Sequence, residues 1–317
     1  QFVFNMLKQN NVECEFKVLV DYNSIDREVT KFKPTHVIIE ALWVTPSKFI
    51  ELSNLHPNVI WVVRLHSEIP FIANEGIAME WVGDYSQIRN VVVACNSPRS
   101  LRDIRSYIRI KNNWTNDITN GKIIYLPNYY ELDYKRKKNK KIDQCIDIGC
   151  FGAVRPFKNH LTQALAAIEF AESIGKKLRF HINASRIEQK GQPVLNNLKA
   201  LFMQVSDQGH RLIMHDWLER EDFLSVCSDM DIGLQVSFSE TFNIVGADIV
   251  NASTPIVGSN EIPWTIGIFC ASPVDIKSVV RKLKLSYNIS RLNVWLHRIS
   301  LWFYSVRVRN IWIKAFS

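Results

Sequence analysis

The sequence is dominated by a regular alternation of short apolar runs with longer segments of helical periodicity. In the first 130 residues, runs rich in β-branched and aromatic side chains occur at residues 16–20, 36–39, 59–63, 91–95 and 123–126. Helical patterns separate them, and two begin at Pro46 and Pro98, since proline is favoured in the first turn of a helix. Apolar runs without a polar face are typical of parallel strands covered by helices.

The same alternation starts again near residue 144, with strands expected at residues 145–150, 178–182, 212–215, 232–236 and 255–257. A helix should follow the first of these strands, with Asn159 as its cap and Gly175 at its end. Doubly wound sheets bind ligands at the carboxyl ends of their strands. The sequence therefore predicts an α/β fold of two Rossmann-like domains that face each other across a cleft.

The domain limits follow from the interruptions of this pattern. We expect a first domain, a basic linker, a second domain, and C-terminal helices that pack back toward the first domain, at residues 1–130, 131–143, 144–288 and 289–317. A Rossmann-like domain normally opens with a central strand, whereas this sequence opens with a helical pattern. Residues upstream of Gln1 are therefore expected to complete the first sheet.

Charge and cysteine content narrow the functional class. The net charge of +8 comes largely from a basic run at residues 135–141, for which a solvated linker is favoured, with a nucleic-acid patch or an anionic partner as alternatives. No aromatic residues interleave with these lysines, so nucleic acid is not an expected partner. The six cysteines form no CxxC pair or Cys/His cluster, which argues against disulfides or zinc and favours a cytoplasmic location.

The C-terminal stretch at residues 290–316 is aromatic and basic. It contains Trp295, Trp302, Phe303 and Trp312 among several arginines, but no apolar run approaches the roughly 20 residues that span a bilayer. A helix that packs on the core is favoured for this stretch. A helix that lies on a membrane surface is the alternative, so peripheral membrane contact stays open.

Two acidic residues follow the predicted strand at residues 232–236: Glu240, and Asp248 eight positions later. The residues between them are expected to open a helix, whose N–H groups and positive dipole end suit a diphosphate. Thr254 and Pro255 then lead into the next short strand. The structural alternative is that Glu240 caps the helix and Asp248 is a solvated surface acid.

A second polar group follows the first strand of the second domain. Gly152 is expected to form a turn there, and Arg155 and Lys158 come within the next six residues. Two cations in a closed cleft would neutralise charge on a departing diphosphate, whereas a surface pair without a ligand is the alternative. In the first domain, His66 follows a strand and is either a site residue or a buried structural histidine.

Together these segments resemble the donor site of glycosyltransferase family 4, a group of retaining enzymes with the GT-B fold. The acid pair with its Thr254-Pro255 turn carries the resemblance, as does Lys158 six residues after Gly152. The resemblance is clear over residues 145–275 and only in outline over residues 36–128. It implies transfer of a sugar from a nucleoside diphosphate sugar to an acceptor, with retention of anomeric configuration. The acceptor, whether glycan, lipid or small molecule, is not readable, and no metal or other cofactor is expected.

The resemblance also implies a role for each residue near the two acids. Glu240 would hold hydroxyl groups of the donor sugar, and Asp248 those of the ribose. The backbone of Thr241, Phe242 and Asn243 would meet the phosphates. Because glutamate is usual in the family at the position of Asp248, the shorter side chain could weaken ribose binding.

For the other group, the resemblance implies that Lys158 and Arg155 face the diphosphate beside the Gly152 turn. Arg155 is displaced, because Ala153 stands next to Gly152 where the family has arginine. His66 would lie near the donor sugar and the acceptor. Lys158, Arg155, Glu240 and His66 are thus the expected catalytic residues.

Other residues receive lesser roles. Glu68 is a weaker acceptor-side candidate, and Asn128 resembles a hinge residue that turns the chain. The Asp229-Met230-Asp231 triplet imitates a metal-binding DxD element, but a turn at a helix end is favoured because the next strand follows at once. His210 and His215 lack a neighbouring carboxylate motif, so they are not expected to bind a metal together.

Three alternatives to this function stay open from sequence. The same scaffold could serve a nucleotide-sugar epimerase or an inverting transferase. The departures at Asp248 and Arg155 also leave room for a sugar-nucleotide-binding protein without turnover. The basic run leaves a nucleic-acid binder as the third.

Overall fold

A computed structural model describes residues 1–134 and 144–316, so the basic run at 135–141, and with it most of the predicted linker, lies outside the described residues. The chain divides into two compact units, residues 1–130 together with 305–317, and residues 131–304. The predicted limit at residue 288 coincides with the end of a helix, and the second unit continues beyond it. Among the described residues, no helix combines the length and apolar content needed to cross a membrane.

In the first unit, the described residues form one parallel sheet of four strands in the order β1-β2-β3-β4. The strands β1 to β4 are His36–Glu40, Ile60–Leu65, Val91–Cys95 and Ile123–Tyr125. The helices α1 to α7 are Phe2–Gln9, Ile25–Phe32, Pro46–Leu55, Ile69–Ile72, Ala78–Gln87, Pro98–Asn112 and Asn116–Lys122. Prolines at Pro46 and Pro98 stand in the first turns of α3 and α6, where Thr45 and Ser97 cap the helices.

The core of the first unit lies between the sheet and its helices. Trp61 on β2 is fully buried and contacts Phe49 of α3, which in turn makes an edge-to-face contact with Tyr85 of α5. The apolar strands are buried by helices, as their sequence predicts. They bring polar side chains at their carboxyl ends to one edge of the sheet.

The strand predicted at residues 16–20 is wrong. These residues adopt irregular backbone, and the side chains of Phe16, Val18 and Val20 are exposed. A β-branched and aromatic pattern stabilises a strand through cross-strand packing, and these residues pair with no strand of the described sheet. Local composition therefore favoured a structure that the fold does not stabilise.

In the second unit, the described residues form a parallel five-stranded sheet in the order β7-β6-β5-β8-β9. The strands β5 to β9 are Cys145–Gly149, Lys177–Asn183, Arg211–His215, Ile232–Gln235 and Ile256–Gly258. The helices α8 to α13 are His160–Ser173, Gln192–Gln204, Arg220–Asp229, Ile244–Asn251, Ile276–Asn288 and Ser290–Phe316. The last of them, α13, begins in the second unit and continues from residue 305 in the first. The strand order reverses between the central neighbours β5 and β8, so a topological switch point lies there.

The helix predicted after β5 is present as α8, but its expected cap is wrong. Asn159 occupies the cap position in a left-handed conformation, and its side chain makes no capping hydrogen bond. Its amide instead donates to the carbonyl oxygens of Val236 and Pro273, at 3.1 and 2.8 Å. At the other end of the helix, Gly175 has a positive φ, as expected of a terminating glycine.

The last two helices are tied to the edge of the second sheet by one buried amide. Asn293 of α13 accepts a hydrogen bond from the backbone N–H of Ile256 at 3.0 Å and donates to its carbonyl at 2.9 Å. The same amide donates to the Ser286 hydroxyl of α12 at 2.8 Å. Asn293 thereby supplies the partner that the outer edge of β9 would otherwise lack at this position.

Asn293→Ala is therefore expected to destabilise the protein. The substitution leaves both backbone groups of Ile256 buried without a partner, which should lower the free energy of unfolding by about 2–4 kcal/mol. Urea unfolding followed by circular dichroism measures this loss. Leu292→Ala, at the exposed neighbouring position, is the control and should change stability by less than about 0.5 kcal/mol; equal stabilities of the two variants would contradict the role of Asn293.

Candidate functional site

The candidate site in the second unit forms where two loops leave the sheet at its switch point. The loop after β5 carries Gly152, Arg155 and Lys158, and the loop after β8 carries Glu240. Since β5 and β8 are adjacent and parallel, their carboxyl ends bring both loops to the same edge. This edge, at a reversal of strand order, is where doubly wound sheets bind ligands.

The two loops meet through a buried ion pair. Lys158 Nζ lies 2.5 Å from Glu240 Oε1, although 82 positions separate the two residues in the chain. Both side chains are about nine-tenths buried, so Lys158 is not the surface cation of the alternative interpretation. A buried charge pair pays a desolvation cost that hydrophobic residues would not, which makes a purely stabilising role a weak explanation.

The Gly152 turn packs directly beside Lys158. Gly152 has a φ of +111°, a conformation that side chains rarely adopt, and its N–H donates to Asn183 Oδ1 at 2.9 Å. A Cβ atom at this position would lie 3.7 Å from Lys158 Cε. The positive φ, rather than a lack of space, is therefore what favours glycine in this turn.

Buried amides hold both loops in place. Gln235, the last residue of β8, donates from its side chain to the Phe151 carbonyl and accepts from the Asn243 amide. Gln163 of α8 accepts from the N–H of Val236 at 2.7 Å. These bonds satisfy loop backbone that would otherwise be buried without partners, so they make the loops rigid.

Arg155 lies in the same loop but is directed toward a different partner. Its guanidinium Nη1 is 3.2 Å from Glu188 Oε2, and the side chain is four-fifths buried. The pKa of His160 is lowered to about 3, first by burial and then by the charges of Lys158 and Arg155. The charge of Arg155 is therefore felt close to Lys158 even though its guanidinium is paired elsewhere. The loop thus presents a positive field around a neutral histidine.

The helix after Glu240 is α11, and Asn243 is its cap. Asn243 Oδ1 accepts from the N–H of Gly246 at 2.7 Å, so the alternative in which Glu240 caps the helix is wrong. Thr241 and Phe242 lie between Glu240 and the cap, and the Trp264 indole fixes Phe242 by donating to its carbonyl at 2.7 Å. The positive end of α11 therefore begins close behind the Glu240 carboxylate.

Asp248 lies on α11 and is buried, so the alternative of a solvated surface acid is also wrong. Its Oδ1 lies 3.8 Å from Arg220 Nε, and Arg220 also pairs with Asp133 at 2.9 Å. Asp133 accepts a further hydrogen bond from Asn251 at 2.8 Å. Burial alone would raise the pKa of Asp133, but the bonds from Arg220 and Asn251 lower it.

Sequence reasoning missed Arg220, Asn183 and Glu188, the partners of three predicted site residues. Asn183 could have been found, since it is the last residue of β6 and polar strand ends of parallel sheets line ligand sites. Arg220 and Glu188 carry no comparable signal in the sequence. Their roles arise only from the packing of distant segments.

In the first unit, His66 follows the end of β2 and contacts Glu40 at the end of β1. His66 Nε2 lies 2.5 Å from Glu40 Oε2, and Arg64 Nη1 contacts the same carboxylate at 2.6 Å. Burial opposes ionisation of Glu40, but the bonds and charges of His66 and Arg64 lower its pKa to about 2. Glu40 was not predicted, although its position at a strand end is a readable signal.

A cavity of about 320 Å³ opens beside His66 at the carboxyl end of the first sheet. Its lining is mostly apolar, with His66, Ser67 and Glu75 as the polar members, and consists of Ala41, Leu42, Leu65, His66, Ser67, Ile72, Glu75, Ile77 and Ala78. Such a mixture of apolar walls with a few polar groups is typical of a small-molecule site.

The two lesser candidates of the first unit have structural partners. Glu68 is buried, accepts from the Ser97 hydroxyl at 2.6 Å and lies 2.5 Å from Arg99 Nε. Asn128 accepts from Arg64, which also donates to the Leu126 carbonyl. Arg64 thus fixes the turn that ends the first sheet.

The acidic triplet at residues 229–231 is a turn at a helix end, as predicted, because α10 stops at Asp229. Asp231 exchanges hydrogen bonds with the backbone of Asp147 on β5. His215 contacts His181 at 2.8 Å, and His210 accepts from the N–H of Leu178. Among residues 1–134 and 144–316, no group of three or more His, Cys, Asp and Glu side chains is arranged to hold a metal.

The cluster around Asp147 was not predicted. Arg179 binds both carboxylate oxygens of Asp147, at 2.6 and 2.8 Å, and His181 lies 3.1 Å from one of them. Burial alone would raise the pKa of Asp147, but the hydrogen bonds from His181 and Arg179 hold it well below its usual range. Asp147 and Arg179 are paired residues of β5 and β6, so strand register explains the contact.

No protein-family model and no curated protein matches the sequence. Solved structures do match, and the three described next each cover 92% of this chain. Trehalose 6-phosphate synthase from Burkholderia multivorans gives a TM-score of 0.71 at 11% identity and is covered over 72% of its length. The UDP-forming alpha,alpha-trehalose-phosphate synthase from Burkholderia xenovorans in complex with glucose-6-phosphate gives 0.70 at 13% identity, with 76% covered. The E. coli trehalose-6-phosphate structure bound with UDP-2-fluoro glucose gives 0.65 at 13% identity, with 74% covered.

At these identities the likeness shows the fold. The α/β class predicted from sequence, with two Rossmann-like domains of GT-B type, is confirmed.

The Glu40 carboxylate generates a prediction for pH dependence. Its folded pKa of about 2 lies below the ordinary 4.5, so the ionised carboxylate stabilises the folded state above about pH 4.5, and this contribution is lost as pH falls toward 2. Wild type should therefore melt at a higher temperature than Glu40→Gln at pH 6, and the difference should shrink with falling pH. Calorimetry from pH 6 to pH 2.5 measures it, and a difference that stays constant over this range would contradict the assignment.

Proposed function

We propose that this protein is a retaining glycosyltransferase that moves a sugar from a nucleoside diphosphate sugar to an acceptor. The observation that carries the proposal is the buried Lys158–Glu240 contact at the switch point of the second sheet. A cation, a carboxylate and a glycine turn are brought together there from two separate loops. This combination suits a ligand that carries both phosphate and hydroxyl groups.

In the proposed complex, the donor replaces part of the Lys158–Glu240 contact. The diphosphate takes the Lys158 ammonium, next to the Gly152 turn and the positive end of α11. Glu240 then accepts hydrogen bonds from sugar hydroxyls. Asp248 binds the ribose hydroxyls, with Arg220 holding its carboxylate in place. Arg155 contributes through its charge, since its guanidinium is paired with Glu188.

The chemical step proposed for this complex is a direct transfer. The bond between the anomeric carbon and the diphosphate oxygen breaks as the acceptor oxygen attacks the same carbon, and the acceptor proton passes to the departing diphosphate. Negative charge grows on the leaving group, where Lys158 and the end of α11 stabilise it. Attack and departure on one face of the sugar give retention.

The acceptor is proposed to bind the first unit, in the cavity beside His66. His66 and Glu40 present a hydrogen-bonded pair there that can orient an acceptor hydroxyl. The structural neighbours are UDP-forming synthases, and one holds glucose-6-phosphate. UDP-glucose and glucose 6-phosphate are therefore the first substrates to test.

The finer assignments belong to the same proposal. Membership of glycosyltransferase family 4 rests on the Glu240 to Asp248 spacing, and the solved neighbours support the GT-B fold rather than that family. A cytoplasmic location rests on six cysteines that are all free thiols. We also propose that catalysis needs no metal, since Lys158 supplies the leaving-group charge that a metal would otherwise balance.

Nucleoside diphosphates should raise the melting temperature, because a ligand that binds the folded state stabilises it by about 2.7 kcal/mol at a hundred times its Kd. UDP, GDP and ADP, each with and without an attached glucose, are compared by thermal shift. Asp248→Asn should weaken the apparent affinity for the preferred diphosphate about tenfold. The thermal shift at a given concentration of that diphosphate should be correspondingly smaller. Asp229→Asn, at an exposed helix end, is the matched control; no shift with any nucleotide would contradict the donor site.

Lys158→Met and Glu240→Gln should each lower kcat about 100-fold or more, because each removes a preorganised contact to the donor. Release of the diphosphate is followed by a coupled assay, with product anomers identified by NMR. Lys199→Met and Glu169→Gln, on exposed helix positions, are matched controls and should retain wild-type rates. Melting curves show whether each variant is folded, since loss of one buried partner costs about 3–5 kcal/mol.

The outcomes separate the rival functions. Wild-type rates in both folded variants would remove Lys158 and Glu240 from the site. Binding of the donor without turnover in the wild type would instead indicate a sugar-nucleotide-binding protein. An inverted product anomer would exclude retention while leaving the donor site in place.

A further inference from the structure

The C-terminal helix α13 has a buried face and, opposite it, an exposed apolar face. One face packs on the second unit: Asn293, His297 and Leu301 are fully buried, and the Ser300 hydroxyl donates to the Trp264 carbonyl. Residues at this spacing of four lie along one side of a helix. The face is explained by the core of the unit.

The opposite face of α13 is apolar and points to solvent. We name it the aromatic stripe, and it consists of Leu292, Trp295, Ile299, Trp302 and Phe303. Spacings of three and four residues place these side chains together on the side opposite the buried face. Trp295, Trp302 and Phe303 are 58%, 54% and 62% exposed. A solvated helix normally carries polar residues there, so a contiguous aromatic surface indicates a binding partner.

The charge on α13 indicates what that partner is. Over its 27 residues the helix carries no aspartate or glutamate, and its basic residues are Arg291, Arg298, Arg307, Arg309 and Lys314. A second copy of this helix would bring like charges together, which opposes self-association. An anionic surface with an apolar interior matches both the charge and the aromatic side chains.

We propose that the aromatic stripe of α13 binds the surface of an anionic lipid bilayer. Trp and Phe rings partition into the region between headgroups and acyl chains, where an indole can keep its N–H in contact with water. Arginines beside the stripe, such as the exposed Arg291, meet the lipid phosphates. The helix lies on the membrane and does not cross it, because its other face is buried in the protein.

The proposal does not depend on sugar transfer, because it rests on surface side chains outside the donor site. Full-length protein is sedimented with phosphatidylcholine vesicles and with vesicles that also contain phosphatidylglycerol. Binding is expected to the anionic vesicles and to weaken as salt increases. Trp295→Ser combined with Trp302→Ser should weaken that binding about tenfold or more, and Arg291→Glu about fivefold or more.

A matched control uses exposed apolar residues elsewhere. Ile110→Ser combined with Met203→Ser removes two side chains that are 73% and 72% exposed on other helices, and it should leave vesicle binding unchanged. Absence of binding to anionic vesicles would overturn the proposal, as would equal binding by the wild type and the Trp variant. If light scattering shows a dimer that the Trp variant abolishes, the stripe is a self-association surface and the lipid assignment fails.

Discussion

The buried contact between Lys158 and Glu240 is the constraint on which the rest of the second unit depends. Two opposite charges that are nine-tenths buried must stay close, because separating them inside the protein would leave each uncompensated. Both loops must therefore be held rigidly at the same edge of the sheet. Adjacent parallel strands β5 and β8 provide the common edge, and the buried amides of Gln163 and Gln235 fix the loop backbones.

The candidate site residues differ in which side chains they are paired with. Lys158 and Glu240 face each other directly, whereas Arg155 is paired with Glu188 and Asp248 lies near Arg220. Charges that are already paired are oriented before a ligand arrives, so less entropy is lost on binding. The same pairing limits how far each can move toward a ligand. In the proposed transfer, Lys158 is the main source of charge stabilisation, Arg155 adds its charge from a distance, and Glu240 and Asp248 position the donor.

The first unit also has a group of paired charged side chains at the carboxyl ends of its strands. Glu40, Arg64 and His66 come from the carboxyl ends of adjacent strands β1 and β2, and they form one hydrogen-bonded group. The cavity next to them is bounded by apolar side chains. Polar groups at the strand ends and apolar walls between them are what a parallel sheet with helical cover produces, because the strand interiors must be buried.

Much of the fold could be predicted from sequence, because apolar runs and helical periodicity are local properties. The α/β class, the second-unit strands and helix α8 follow from them. The Gly152 turn and the Glu240 to Asp248 spacing predict a donor site, which stays a prediction. The predictions that failed concern features that depend on contacts with residues elsewhere in the chain. Residues 16–20 had strand composition but pair with no described strand, and Asn159 stood at a helix start while its amide bonded to Val236 and Pro273.

What the sequence alone determined is therefore the set of elements and the chemical types at their ends. The tertiary structure decided which of these side chains meet: Lys158 with Glu240, Arg155 with Glu188, and Asp248 near Arg220. It also decided that the aromatic side of α13 is exposed rather than buried. Contacts between residues tens of positions apart depend on strand order and loop packing, and these are set by the free energy of the whole fold rather than by any local segment.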